Sequence, residues 1–92
     1  MPRGVNNTAE VMLTPAQLRA ARALLGMSQE AFAKKCGDAV DLSTLKRYEA
    51  GKSDPKQSTL LVWERTLRKA GVVLIDGTET DGPGVRLRDP QR

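Results

Sequence analysis

At 92 residues the chain has room for one domain and a small core, so each large apolar residue counts. It has no histidine and one cysteine, Cys36, which excludes an internal disulfide, zinc-finger spacing and histidine general-base chemistry. The formal charge of +4, from 15 Lys and Arg against 11 Asp and Glu, suits an anionic partner such as nucleic acid. No apolar run approaches the roughly 18 residues of a membrane span, and the N-terminus lacks a signal-like apolar region. The expectation is a cytoplasmic protein with no cofactor and no metal, and not an enzyme.

Residues 1–12 keep no period and carry Gly4, Asn6 and Asn7, so they read as a flexible arm. Thr14-Pro15-Ala16-Gln17 then forms a capping box, with Pro15 at the first helical position. Leu18, Ala21, Arg22 and Leu25 follow at helical spacing, and Gly26 stops the helix. Arg22 is a cation on the inward stripe, and a buried charge needs a partner.

Ser28 caps a second helix, Gln29 to Cys36, with Glu30 at its positive end and Lys34 and Lys35 at its negative end. Phe32, Ala33 and Cys36 form its inward face, and Cys36 reads as a small core residue rather than a reactive thiol. Gly37 ends the helix, and Asp38-Ala39-Val40 is the turn. Asp41 caps a third helix, Leu42 to Ala50, stopped by Gly51. Leu45 and Tyr48 point inward, while Leu42, Ser43, Lys46 and Arg47 lie outward with Thr44 beside them. Glu49 is the carboxylate of this helix and the expected partner of Arg22.

Pro55 interrupts a polar link, and a fourth helix runs from about Ser58 to Ala70. Leu60, Trp63, Leu67 and Ala70 keep its period, so Trp63 reads as core rather than a stacking platform. Glu64 and Arg68 form an i, i+4 pair; Lys34-Lys35 and Arg68-Lys69 read as solvated. Val72 to Ile75 and Val85 to Arg88 are strand-like runs separated by the turn-forming Gly77 to Gly84. They predict a hairpin. A lone hairpin is marginal in water, so it should pack on the helices or on a second subunit.

A helix that reads DNA needs a second helix to fix its angle, an outer face that bonds to base edges, and flanking donors for phosphates. Ser28 to Lys52 supplies all three. Leu42, Ser43, Lys46 and Arg47 are the candidate base contacts: Arg47 can grip guanine bidentately, Lys46 can reach guanine O6 or N7, and Leu42 can touch a thymine methyl. Ser28, Gln29, Thr44, Lys52 and Lys56 are the candidate phosphate contacts, Gln29 through its amide and the N–H groups at the helix start. Arg3 in the arm, and Arg86 and Arg88 in the hairpin, are further cations that could meet phosphates.

The ordered series Leu18…Arg22…Gly26-x-Ser28-Gln29-Glu30-x-Phe32-Ala33-x-x-x-Gly37, Val40-Asp41-x-Ser43-Thr44-Leu45-x-x-Tyr48-Glu49-x-Gly51 and Pro55-x-x-x-Thr59-Leu60-x-x-Trp63-x-x-x-Leu67 resembles the Cro and phage-repressor (XRE-like) helix-turn-helix family. The tail from Ala70 to Leu87 is similar to a small bacterial subgroup of such regulators. The resemblance implies a mainly α fold: a compact four- to five-helix lambda-repressor-like DNA-binding domain with a C-terminal β-hairpin. It implies base contacts at Leu42, Ser43, Lys46 and Arg47, a phosphate contact at Gln29, and a structural pair between Arg22 and Glu49. The sequence departs from that pattern twice. Asp38 and Ala39 are extra in the turn, and Asp41 stands where Ser or Thr is more usual, which brings a negative charge near the phosphates. The expected organisation is an arm over 1–12, the DNA-binding domain over 13–71, and a hairpin and tail over 72–92 as the dimerisation element. The expected partners are double-stranded DNA and a second copy. The alternative is an antitoxin-type module that binds a toxin protein and represses its own promoter.

Overall fold

The chain is described by a computed structural model over residues 13–89. The arm over 1–12, Arg3 included, and the last three residues lie outside the described residues. Four α-helices precede a two-stranded antiparallel hairpin: α1 Pro15–Leu25, α2 Gln29–Lys35, α3 Leu42–Glu49, α4 Gln57–Lys69, β1 Val72–Ile75 and β2 Gly84–Leu87. A single 3-10 turn, Gly37–Ala39, stands between α2 and α3.

The helix starts follow from their caps. At α1 the Thr14 hydroxyl accepts from the Gln17 N–H at 3.1 Å, and the Gln17 side-chain oxygen accepts from the Thr14 N–H at 2.9 Å. Ser28 caps α2 by accepting from the Ala31 N–H, and Asp41 caps α3 by accepting from the Thr44 N–H. Lys56 precedes α4 and offers no side-chain cap, so nothing in the local sequence marks that boundary, and the helix begins at Gln57 rather than Ser58. Three other ends also fall one residue short of expectation: α2 closes at Lys35 with Cys36 as its C-cap, α3 closes at Glu49, and α4 closes at Lys69. The second strand is Gly84–Leu87; Arg88 lies beyond it but still donates its N–H to the Gly71 carbonyl at 2.7 Å.

The core gathers Leu13, Leu18, Ala21, Phe32, Val40, Leu45, Tyr48, Trp63, Leu67 and Val72. Tyr48 and Trp63 stack with centroids 5.2 Å apart, and the Tyr48 hydroxyl donates to the Leu13 carbonyl at 2.6 Å. That bond satisfies the one polar group a buried tyrosine carries. Burial pushes the Tyr48 phenol up, with a smaller push from Asp54.

The extra turn residues are absorbed locally. Gly37 has φ +80°, a left-handed value that disfavours a side chain, and it starts the single 3-10 turn. Val40 follows in extended conformation and returns the chain to the core. The two added positions therefore bulge outward, and Asp38 and Ala39 are exposed.

The hairpin packs on the helices, β1 against α4 and β2 against α1. Its register pairs Val72 with Leu87 and Leu74 with Val85, and all four of these side chains pack on the core. One polar residue locks this arrangement. Gln17, buried in the core, donates its side-chain N–H groups to the carbonyls of Ile75 at 3.2 Å and Gly84 at 3.0 Å. The amide that completes the α1 capping box thus also holds the loop end of the hairpin ladder.

Candidate nucleic-acid interface

α2 packs directly on α3, and α1 packs on α3 from another side. The inner face of α3 buries Leu45, Tyr48 and Glu49. Its outer face leaves Ser43, Lys46 and Arg47 exposed. Leu42 is half-buried and packs against the core, so its side chain offers only part of its surface outward. Thr44 is half-buried, and its hydroxyl donates to the Asp41 carboxylate at 2.7 Å. The Ser43 hydroxyl lies at the limit of the same contact, 3.5 Å. These bonds hold the Asp41 carboxyl below its ordinary value, the Thr44 hydroxyl first and the Thr44 N–H second. The charge at the start of α3 is therefore spoken for by the helix itself.

Arg22 and Glu49 hold α3 from inside. The guanidinium meets the carboxylate in a fork, Nε to Oε2 and Nη2 to Oε1, both at 2.7 Å. Its third nitrogen donates to the Met27 carbonyl at 2.9 Å. Glu49 is 3% exposed and Arg22 18%. The hydrogen bond to Glu49 raises the Arg22 pKa, against an opposing effect of burial. Sequence reasoning missed Arg19, which donates to the Glu49 backbone carbonyl at the end of α3. Its exposed position on α1 carries no signal for that contact.

Gln29 belongs to the same cluster. Its side-chain N–H donates to Glu49 Oε1 at 3.0 Å, so the amide expected to face a phosphate is turned inward. What Gln29 leaves outward is the start of α2, where Ser28 is exposed. Lys46 reaches toward Glu30 across the α2–α3 pair at 4.0 Å, with both side chains more than half exposed. Such a pair is weak in water and leaves the ammonium available. Lys52 and Lys56 are exposed in the link to α4, where the Lys52 N–H donates to the Arg47 carbonyl at 2.9 Å. Among the described residues there is no cluster of groups suited to a metal ion. Among the same residues no helix is long and apolar enough to cross a membrane.

The face thus combines an exposed row on α3, the open start of α2 and a basic link. No curated protein matches the chain. A family model described as helix-turn-helix matches residues 18–72, more than half of the chain, and runs from within α1 to the first residue of β1. The chain belongs to the helix-turn-helix family of the XRE and Cro type, and its domain is a DNA-binding one.

Proposed function

We propose that the chain is a sequence-specific transcriptional repressor that binds double-stranded DNA as a homodimer and reads an inverted-repeat operator through α3. The carrying observation is the division of α3 into a buried face of Leu45, Tyr48 and Glu49 and an exposed face of Ser43, Lys46 and Arg47. On this reading Arg47 grips a guanine, Lys46 reaches guanine O6 or N7, Ser43 takes a base edge, and the outward part of Leu42 meets a thymine methyl. Ser28, Gln29, Thr44, Lys52 and Lys56 line the phosphate track. With its amide on Glu49, Gln29 serves the phosphate through backbone N–H at the helix start. On this reading residues 13–71 are the reading domain and the hairpin and tail from residue 72 pair the protomers. The setting this implies is the cytoplasm, on the nucleoid when bound.

Selection of bound sites from random duplex DNA tests the reading. Palindromic sites with half-site centres about 34 Å apart are expected from a dimer with α3 in successive major grooves. Arg47→Ala should weaken binding to the selected site by about 1–3 kcal/mol and relax preference at one base pair. Unchanged affinity and preference would remove Arg47 from the base contacts.

The competing reading is an antitoxin-type module that also represses its own promoter. The exposed Leu24, 44%, and Ile75, 39%, favour it as apolar surface for a toxin protein. It predicts that a neighbouring gene product co-purifies with the chain, whereas a clean homodimer argues against it.

A further inference from the structure

A groove of about 610 Å³ opens between the end of α2, the 3-10 turn and the second half of α4. Its floor is Cys36, Ala39, Val62 and Ala70, and three cations, Lys35, Arg65 and Lys69, stand around it. No carboxylate lines it.

The cations here differ from their neighbours. On α4, Arg68 is held by Glu64 at 2.7 Å, and on α3, Lys46 leans toward Glu30. Lys35, Arg65 and Lys69 have no such carboxylate among the described residues. Arg65 and Lys69 are four apart on one helix, a spacing at which like charges repel. The negative ends of α2 and α4 account for cations at those termini, but not for their convergence over an apolar floor. The Thr66 hydroxyl in the lining already donates to the Val62 carbonyl at 2.8 Å, so its proton is not free for a ligand. Burial pushes the Cys36 thiol up, with a hydrogen bond to Thr66 pulling the other way, so the thiol adds no negative charge near neutrality.

Position separates the groove from the DNA-facing surface. It lies at the C-terminal end of α2 and along the second half of α4, whereas Ser28 and Lys56 precede the N-terminal ends. Along α4 its lining begins at Val62, about 9 Å from Lys56 at 1.5 Å per residue, and runs away from it to Ala70. One floor residue, Ala39, is one of the two residues this chain adds to the turn. The volume falls in the range of about 300–1,000 Å³ typical of small-ligand pockets.

We propose that this groove binds a small organic anion that carries at least two negative charges on an apolar body. The charges meet Lys35, Arg65 and Lys69; the body lies on Val62, Ala39 and Ala70. The site lies beside the 3-10 turn that joins α2 to α3.

The test uses the full chain without DNA, so its outcome is independent of the operator experiment. 1-Naphthyl phosphate is titrated into 15N-labelled protein and followed by amide shifts, with inorganic phosphate as the probe lacking the apolar body. Saturable shifts are expected at residues 35–39 and 62–70, with affinity about tenfold or more above that for inorganic phosphate. The double variant Arg65→Glu/Lys69→Glu changes two exposed side chains and should keep the amide dispersion of the parent while weakening binding by about tenfold or more. Lys52→Glu, in the link to α4, should leave binding unchanged. Non-saturable shifts, equal affinity for the two probes, or binding that survives the double variant would overturn the proposal. So would a short DNA duplex that shifts these same amides at lower concentration than the dye, since the groove would then belong to the DNA backbone.

Discussion

Glu49 meets three side-chain donors with two oxygens, two from Arg22 and one from Gln29. A carboxylate this buried is tolerated because each donor offsets part of the lost hydration. Removing one partner strands the other. Glu49→Ala should therefore lower stability by about 3–5 kcal/mol, read from the urea midpoint, whereas Arg22→Leu/Glu49→Leu should recover much of that loss by leaving no unpaired charge. A double variant no more stable than Glu49→Ala would show that the pair is not the source of the loss. Arg22 was legible in the sequence because a cation on an apolar stripe demands a partner, and Glu49 was the carboxylate its facing helix offered. Gln29 was not legible in the same way. An amide can face water or carbonyl with equal ease, and only the position of Glu49 in three dimensions turns it inward.

At the scale of elements, caps carry most of the information. Thr14, Ser28 and Asp41 each announce a helix by one side-chain oxygen aimed at a backbone N–H, and each does so in the structure. The start of α4 has no such oxygen, which is why its boundary was the one start that moved. The α2–α3 link shows the limit more sharply. Its extra length is visible in the sequence, but the conformation depends on a glycine at φ +80° followed by a single 3-10 turn. A Cβ at Gly37 would meet open space, so substitution there tests backbone strain alone. Gly37→Ala should cost about 1–2 kcal/mol in thermal or urea unfolding. A neutral result would mean that the link relaxes freely and does not define the angle of α3.

For the whole molecule, the hairpin carries the unmet backbone. The Gly71–Arg88 bond fixes 71/88, 73/86 and 75/84 as the hydrogen-bonded pairs, so Val72 and Leu74 direct their N–H and C=O groups away from the partner strand. Among the described residues there is no third strand to take them. Ile75 stands exposed on the outer face of the same strand. A second copy could supply both a strand edge and an apolar cover. Ile75→Lys, a change at a solvent-facing position, should shift the monomer–dimer equilibrium toward monomer by about tenfold in analytical ultracentrifugation. It should also weaken binding to a full inverted repeat more than to a half-site. A dimer constant unaffected by Ile75→Lys would move the pairing surface elsewhere. Whether the hairpin packs on its own helices or on a partner was open from the sequence, because Val72, Leu74, Val85 and Leu87 would be apolar in either case.

The side chain of Gln17 bears on how this molecule comes apart. Its oxygen is occupied only when the first turn of α1 is wound, and its nitrogen only when Ile75 and Gly84 have been brought together, 58 and 67 residues along the chain. If the hairpin swings away, a buried donor is stranded; if α1 unwinds, the hairpin loses the clasp at its loop end. The first helix and the hairpin are thereby made one cooperative unit, with α3 between them in sequence. Loosening the tail is felt at the first helix, and through Arg22 on that helix, at α3.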